Sequence, residues 1–205
     1  HPWFLLSALL LAGSGTRVLM HGCSPHAADR LFTASAVREL GIPIADSLAS
    51  VTQALDARRV CYVALQTLSP ALQSLMDRRA EFGLRSPVNT LLRHLDPGRA
   101  RAGLRSLHHP AYAALHVESA MALGDDGVAV FRGEGGECEL RADADTPLAL
   151  LRAGAVSDTV LTRTRTERSQ KPDQPATAPL VALWNETSAE DRKSTRLNSS
   201  HLVIS

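Results

Sequence analysis

Arg78-Arg79-Ala80-Glu81-Phe82-Gly83-Leu84-Arg85-Ser86-Pro87-Val88-Asn89, running on to Asp96-Pro97, is the stretch from which the rest of the chain is read. Its first half has the character of a helix end. Basic residues suit the negative pole of the helix dipole, and Gly83 can take the positive φ that closes a helix. Ser86-Pro87 then reads as the start of a second helix, serine as cap and proline at the first position. Asn89 falls in that helix's first turn. Arg79, Arg85 and Asn89 are thereby expected around one small volume between two helix ends. Two guanidiniums and a carboxamide beside a helix N-terminus suit an anionic ligand. The pattern leaves a second reading open, that these are solvated helix-end charges of little energetic weight.

Working outward, strands and helices alternate. Arg17-Val18-Leu19-Met20 is a short apolar run, read as a buried strand, and His21 to Pro25 as the loop at its carboxyl end, where open α/β sheets bind ligands. A capped helix is expected from Thr33 to Leu40, closed by Gly41 and Pro43, and a second from Ile44 to Arg59. Val60 to Leu65 is the strongest strand signal. Ser69-Pro70 caps the helix leading to Arg78 and Arg79. Leu104–Leu107 and Gly127–Phe131 read as strands flanking a helix over Ala111–Leu123. This alternation predicts an α/β fold, a mostly parallel sheet flanked by helices. Residues 1–150 form the expected α/β domain. The pattern weakens from Arg141, with a short apolar run at Pro147–Leu151; residues 151–190 are expected to be irregular, with a linker over Thr162–Ala178 and a short element at Leu180–Trp184.

Composition sets the limits. The chain of 205 residues is 44% hydrophobic and only 4% aromatic, so packing rests on Leu, Ala and Val. Cys23, Cys61 and Cys138 form no C-x-x-C pair, so neither a disulfide framework nor a zinc site is expected, and a reducing, cytoplasmic setting is the simpler reading. The run Trp3–Ala12 is too short to span a bilayer, lacks the basic region of a signal peptide, and reads as a buried helix of a chain that begins mid-protein. No membrane partner is expected. Asp191–His201 back-translates into a common sequencing-library adapter, so residues 191–205 are taken as a disordered read-through artefact and set aside. The net charge is +1, from 22 basic and 21 acidic residues; without Arg192, Lys193, Arg196 and Asp191 it becomes −1. Net charge therefore gives nucleic-acid binding no support, although a local basic face stays open.

The opening stretch resembles the R-x-x-L-G-x-R-T-x-F-N-x-L-G-P-L-x-N-P signature of anthranilate phosphoribosyltransferases, in glycosyltransferase family three. Arg79, Gly83, Arg85, Asn89 and Pro97 fall on its arginine, glycine, second arginine, asparagine and final proline. Ser86, Val88, Leu92-Arg93 and Asp96 depart from it, which is similar to a divergent branch of the family. His21 and Gly22 match the family's K-H-G-N-R loop, whose lysine, asparagine and arginine are replaced by Met20, Cys23 and Ser24. Thr33 matches the second serine of S-G-S-A-D-V-L-E-A-L-G in kind, with Phe32 at its glycine and Ser35 at its aspartate. Gly133 to Glu139 stands where the family has G-x-D-G-L-D-E; Glu139 takes the last acid's place, Cys138 replaces the aspartate, and Glu137 is one residue out of register.

The resemblance implies a truncated domain of the nucleoside phosphorylase and phosphoribosyltransferase type, with a homodimeric full-length parent. It implies phosphoribosyl transfer from phosphoribosyl pyrophosphate to an aromatic or nitrogenous acceptor, much of the ligand set being eroded. Arg79 would orient an acceptor carboxylate, with Arg85 and Asn89 beside it. His21, Gly22 and Thr33 would border the sugar-phosphate, and Glu137 and Glu139 would help hold Mg2+. For His21 a plain loop-carbonyl contact, and for the acidic residues an exposed turn, remain open. The alternative is a DNA- or RNA-binding member of the same branch without transferase activity. Arg58, Arg59, Arg78, Arg79, Arg93, Arg99, Arg101 and Arg105 would then supply a phosphate-contacting face. An inert gene fragment is the third reading.

Overall fold

Val60-Cys61-Tyr62-Val63 is buried at every position, which is why this strand carries no polar alternation. The computed structural model describes residues 2–23, 33–78, 81, 87–134, 137–167 and 177–194. It divides into two units, residues 1–63 with 174–205, and residues 64–173.

In the first unit the order is α1 (Phe4–Gly13), β1 (Val18–Gly22), α2 (Thr33–Glu39), β2 (Ile44–Ala45), α3 (Leu48–Arg58) and β3 (Val60–Ala64). The sheet order is β1-β3-β2, with β2 parallel to β3 in the register Ile44↔Tyr62. Helix α1, expected to be buried, buries Leu5 and Ala8 while Leu10 is exposed. The segment Ile44–Arg59, read as one helix, begins as a strand. Ser47 explains the break: its hydroxyl accepts from the Ser50 N–H (3.2 Å) and starts α3 at Leu48, four residues late, as a capping box. Asp46 accepts from the Ser50 hydroxyl (2.8 Å), which holds its carboxyl below the ordinary value. The C-terminal helix of this unit runs Ala178–Ser194, buries Leu180 completely, and is tied at its start by the Thr177 hydroxyl donating to the Glu39 carboxylate. It thus enters the segment set aside as artefact; residues 195–205 lie outside those described.

The second unit contains α4 (Leu65–Leu68), α5 (Pro70–Asp77), α6 (Val88–Leu91), β4 (Gly103–Leu107), α7 (Ala113–Leu123), β5 (Gly127–Arg132), β6 (Thr146–Arg152) and β7 (Ala155–Leu161); the C-terminal helix above is α8. Ser69 caps α5 through the Leu72 N–H (3.3 Å), with Pro70 at the start, as read from the sequence. The sheet order is β4-β5-β6-β7. β4 and β5 are parallel and joined through α7, whose Val117 and Ala120 pack on Leu107, Val128, Val130 and Leu151. β5–β6 and β6–β7 are antiparallel. The hairpin corrects the reading of residues 151–190 as irregular. Its turn is Ala153-Gly154, both at positive φ (49° and 78°), a primed turn written with an alanine and so poorly marked in sequence. β7 is exposed along its whole length, so burial imposes no apolar period on it. Among the described residues no helix is long and apolar enough to cross a membrane.

The interior of this unit is polar at one point. Arg105 on β4 is buried and paired with Asp125, which lies just before β5. His116 of α7 stacks on His94 (centroids 4.4 Å, 18°), which ends a 3₁₀ turn over Leu92–His94. Burial and then the charges of His94, Arg93 and Arg105 push His116 down to about 4, and burial and Arg105 lower His94 while Asp125 opposes. Both imidazoles are therefore neutral at pH 7. The unfolded chain binds the proton more readily, so this stability is present in full above pH 6.5 and is lost as pH falls towards 4. For His116 alone the loss is about 3 kcal/mol. Urea midpoints measured from pH 7 to pH 4 should drop accordingly, and His116→Phe, which does not titrate, should flatten the drop.

Candidate functional site

The carboxyl ends of the parallel strands are where this topology gathers polar groups. In the first unit, β1 continues through His21 and Gly22, two residues beyond the predicted strand end, so both lie at the strand terminus. Gly22 is required by packing: a Cβ there would meet the buried Tyr62 hydroxyl at 2.8 Å. Thr33 opens α2, as expected, in the same unit.

In the second unit Asn89 lies in the first turn of α6, as read from the sequence. The helix begins at Val88 with Pro87 as its cap, one residue later than expected. Arg79, Arg85 and Ser86 lie outside the described residues. Glu137 and Glu139 lie in the turn after β5. This turn closes on itself: the Glu134 N–H donates to the Glu139 carbonyl (2.7 Å) and the Glu137 N–H to the Glu134 carbonyl (3.1 Å). Gly133 starts it by donating to the Leu107 carbonyl at the end of β4 (3.1 Å). Among the described residues, no group of three His, Cys, Asp or Glu side chains is placed to hold a metal ion.

Ser106, next to the end of β4, is the junction that sequence reasoning missed. Arg93 Nη1 donates to its carbonyl oxygen and to its hydroxyl (3.1 Å to Oγ). Cys138 approaches the same strand from the turn after β5, its thiol donating to the Leu104 carbonyl (3.8 Å). Burial raises the Cys138 thiol above its ordinary value, against hydrogen bonds from Ser106 and the charge of Arg93. Two residues that depart from the family pattern, Arg93 at a proline and Cys138 at an aspartate, thus meet on one serine. The departure at Arg93 was the available signal, because a charged residue in place of proline needs a polar partner. The basic face is also smaller than expected. Arg105 is internal and Arg93 is bound to Ser106, while Arg58, Arg59, Arg99 and Arg101 are exposed.

The β4–β5 parallel pair, joined through α7 and followed by an acidic turn at its carboxyl edge, defines the class as an α/β domain. The profile of the glycosyl transferase family a/b domain matches residues 5–171, and the chain belongs to that family. It is similar to the anthranilate phosphoribosyltransferase of Methanosphaerula palustris, 29% identical over 63% of this chain and 38% of that protein. The corresponding protein of Oleidesulfovibrio alaskensis is 27% identical over 74% of this chain and 46% of its own length. The chain therefore spans less than half the length of these relatives. The crystal structure of anthranilate phosphoribosyltransferase from Thermus thermophilus superposes with a TM-score of 0.66 at 22% identity, over 88% of this chain and 54% of that one, which establishes the fold.

Proposed function

We propose that this chain contributes to phosphoribosyl transfer from phosphoribosyl pyrophosphate to an aromatic or nitrogenous acceptor. The observation that carries the reading is the family match over residues 5–171, taken with an acidic turn at the carboxyl edge of the β4–β5 parallel pair. His21, Gly22 and Thr33 border the sugar-phosphate in this reading. Arg79 orients the acceptor, with Arg85 and Asn89 beside it. Such chemistry is positioning and charge neutralisation at the departing pyrophosphate, so each lost contact is felt in rate. Glu137 and Glu139 are the acids left to hold Mg2+. Cys138, between them, does not fit a hard cation, because its thiol is held protonated and committed to β4.

Calorimetric titration of the chain with phosphoribosyl pyrophosphate, and separately with duplex DNA at about 50 and 200 mM salt, tests this. The expected result is saturable sugar-phosphate binding, weakened about tenfold or more in His21→Ala, one of the residues that border the sugar-phosphate in this reading. DNA binding that falls steeply with salt, without sugar-phosphate binding, overturns it in favour of the nucleic-acid reading.

A further inference from the structure

Helix α6 has no buried residue, so burial gives it little hold of its own. The 3₁₀ turn that follows it is docked through three consecutive side chains. Leu92 is buried, Arg93 donates to the Ser106 carbonyl and hydroxyl, and His94 stacks on His116 of α7 (centroids 4.4 Å, 18°). We propose that His116 is a positioning residue and that Val88–His94 is an acid-released flap: the neutral imidazole stack holds this segment on α7, and protonation frees it while the sheet stays folded.

The stack is built so that it tolerates no added proton. His116 is 1% exposed, and Arg105 on β4 is 5% exposed. Nδ1 of His94, Nδ1 of His116 and Nη1 of Arg105 are buried with no hydrogen-bond partner among the described residues. An imidazolium donates through both ring nitrogens, and here Nδ1 has no acceptor to donate to. The charges around it are also unfavourable. Arg93 and His94 face His116 from the turn, and Arg105 faces it from β4. Asp125, the acid that acts on His94, is already paired with Arg105. Strands β5 and β6, which also pack on α7, bring one charged residue each, Arg132 and Arg152, both exposed. The turn Pro110–Tyr112 before α7 brings only the exposed Tyr112, and Glu118 on α7 itself is exposed. Burial and then the charges of His94, Arg93 and Arg105 push His116 down to about 4. Lifting the turn gives both rings water, so protons favour the lifted form as pH falls below about 6.5. The packing of Val117 and Ala120 on Leu107, Val128, Val130 and Leu151 does not involve the turn, which lets the opening be local. Asn89 rides on the segment, so acid would withdraw it from an acceptor; that consequence alone rests on the transferase reading.

Amide hydrogen exchange of the unliganded chain at pH 7 and about pH 4.5, corrected for the intrinsic pH dependence of exchange, tests this. Protection over residues 88–94 should fall about tenfold or more at the lower pH, with β5 staying the more protected by at least that factor. His116→Phe keeps a ring to stack on but takes no proton, and its segment should hold its protection within about threefold. His116→Ala should leave the segment open already at pH 7. His109→Phe, which removes an exposed histidine, should behave like the parent chain. Should the His116 variants fail to fold, the imidazole proton resonances of the unaltered chain decide: those of His94 and His116 should titrate at the midpoint of the protection loss, and a different midpoint overturns the inference. Loss of protection over residues 88–94 and β5 in step, or an unchanged acid loss in His116→Phe, also overturns it. Because no ligand is present, none of these outcomes touches the transferase reading, which titration with phosphoribosyl pyrophosphate decides by itself.

Discussion

Gly133→Ala is expected to destabilise the second unit by about 3 kcal/mol or more, and to do so through lack of space. A Cβ at residue 133 would overlap the Glu137 carbonyl oxygen and lie 2.8 Å from the Ser106 Cβ. Neither is the end of a flexible side chain. The carbonyl belongs to a turn closed by its own backbone hydrogen bonds, and Ser106 is a buried strand residue. The turn must therefore open or move, taking Cys138, Glu137 and Glu139 with it. Gly103→Ala is the matched control: its nearest new neighbours are at 3.8 Å or beyond, and it should change stability by no more than about 0.5 kcal/mol. Urea unfolding of both variants decides. Equal, small effects would show that the turn does not fold back on β4.

Asp125→Ala has the next largest expected effect, a loss of about 3–5 kcal/mol. Arg105 is 5% exposed, and its guanidinium is paired with Asp125. Its Nη1 has no hydrogen-bond partner among the described residues, so removal of the carboxylate leaves a buried cation with little else there to satisfy it. His94 and His116 nearby are neutral and offer no counter-charge. Replacing both members, as Arg105→Met with Asp125→Leu, should return most of the lost stability, because the cost lies in the unpaired charge. A urea midpoint that hardly moves in Asp125→Ala would mean the pair is solvated in solution.

The boundaries legible in the sequence were those written in local chemistry. Val60 to Ala64 announced itself by unbroken apolar and β-branched residues, α5 by Ser69-Pro70, and the end of α2 by Gly41. Where the deciding contact was local but ambiguous, the reading slipped. Ser47 and Ser50 read equally well as interior helix residues until their reciprocal hydrogen bonds fixed the start of α3. The hairpin was missed because an alanine occupies a left-handed turn position and β7 faces solvent throughout.

Of the candidate site, the sequence by itself determined the alternation of strands and helices, the kinship, and the chain positions of His21, Gly22, Thr33, Asn89, Glu137 and Glu139, because period, caps and motif spacing are properties of neighbouring residues. Only the tertiary structure decided that Arg93 and Cys138 meet on Ser106 and that Arg105 turns inward to Asp125. Those partners lie 13 and 20 residues apart or more in the chain. Their encounter depends on how strands pair and where a turn folds back, and no local pattern encodes a distance of that kind.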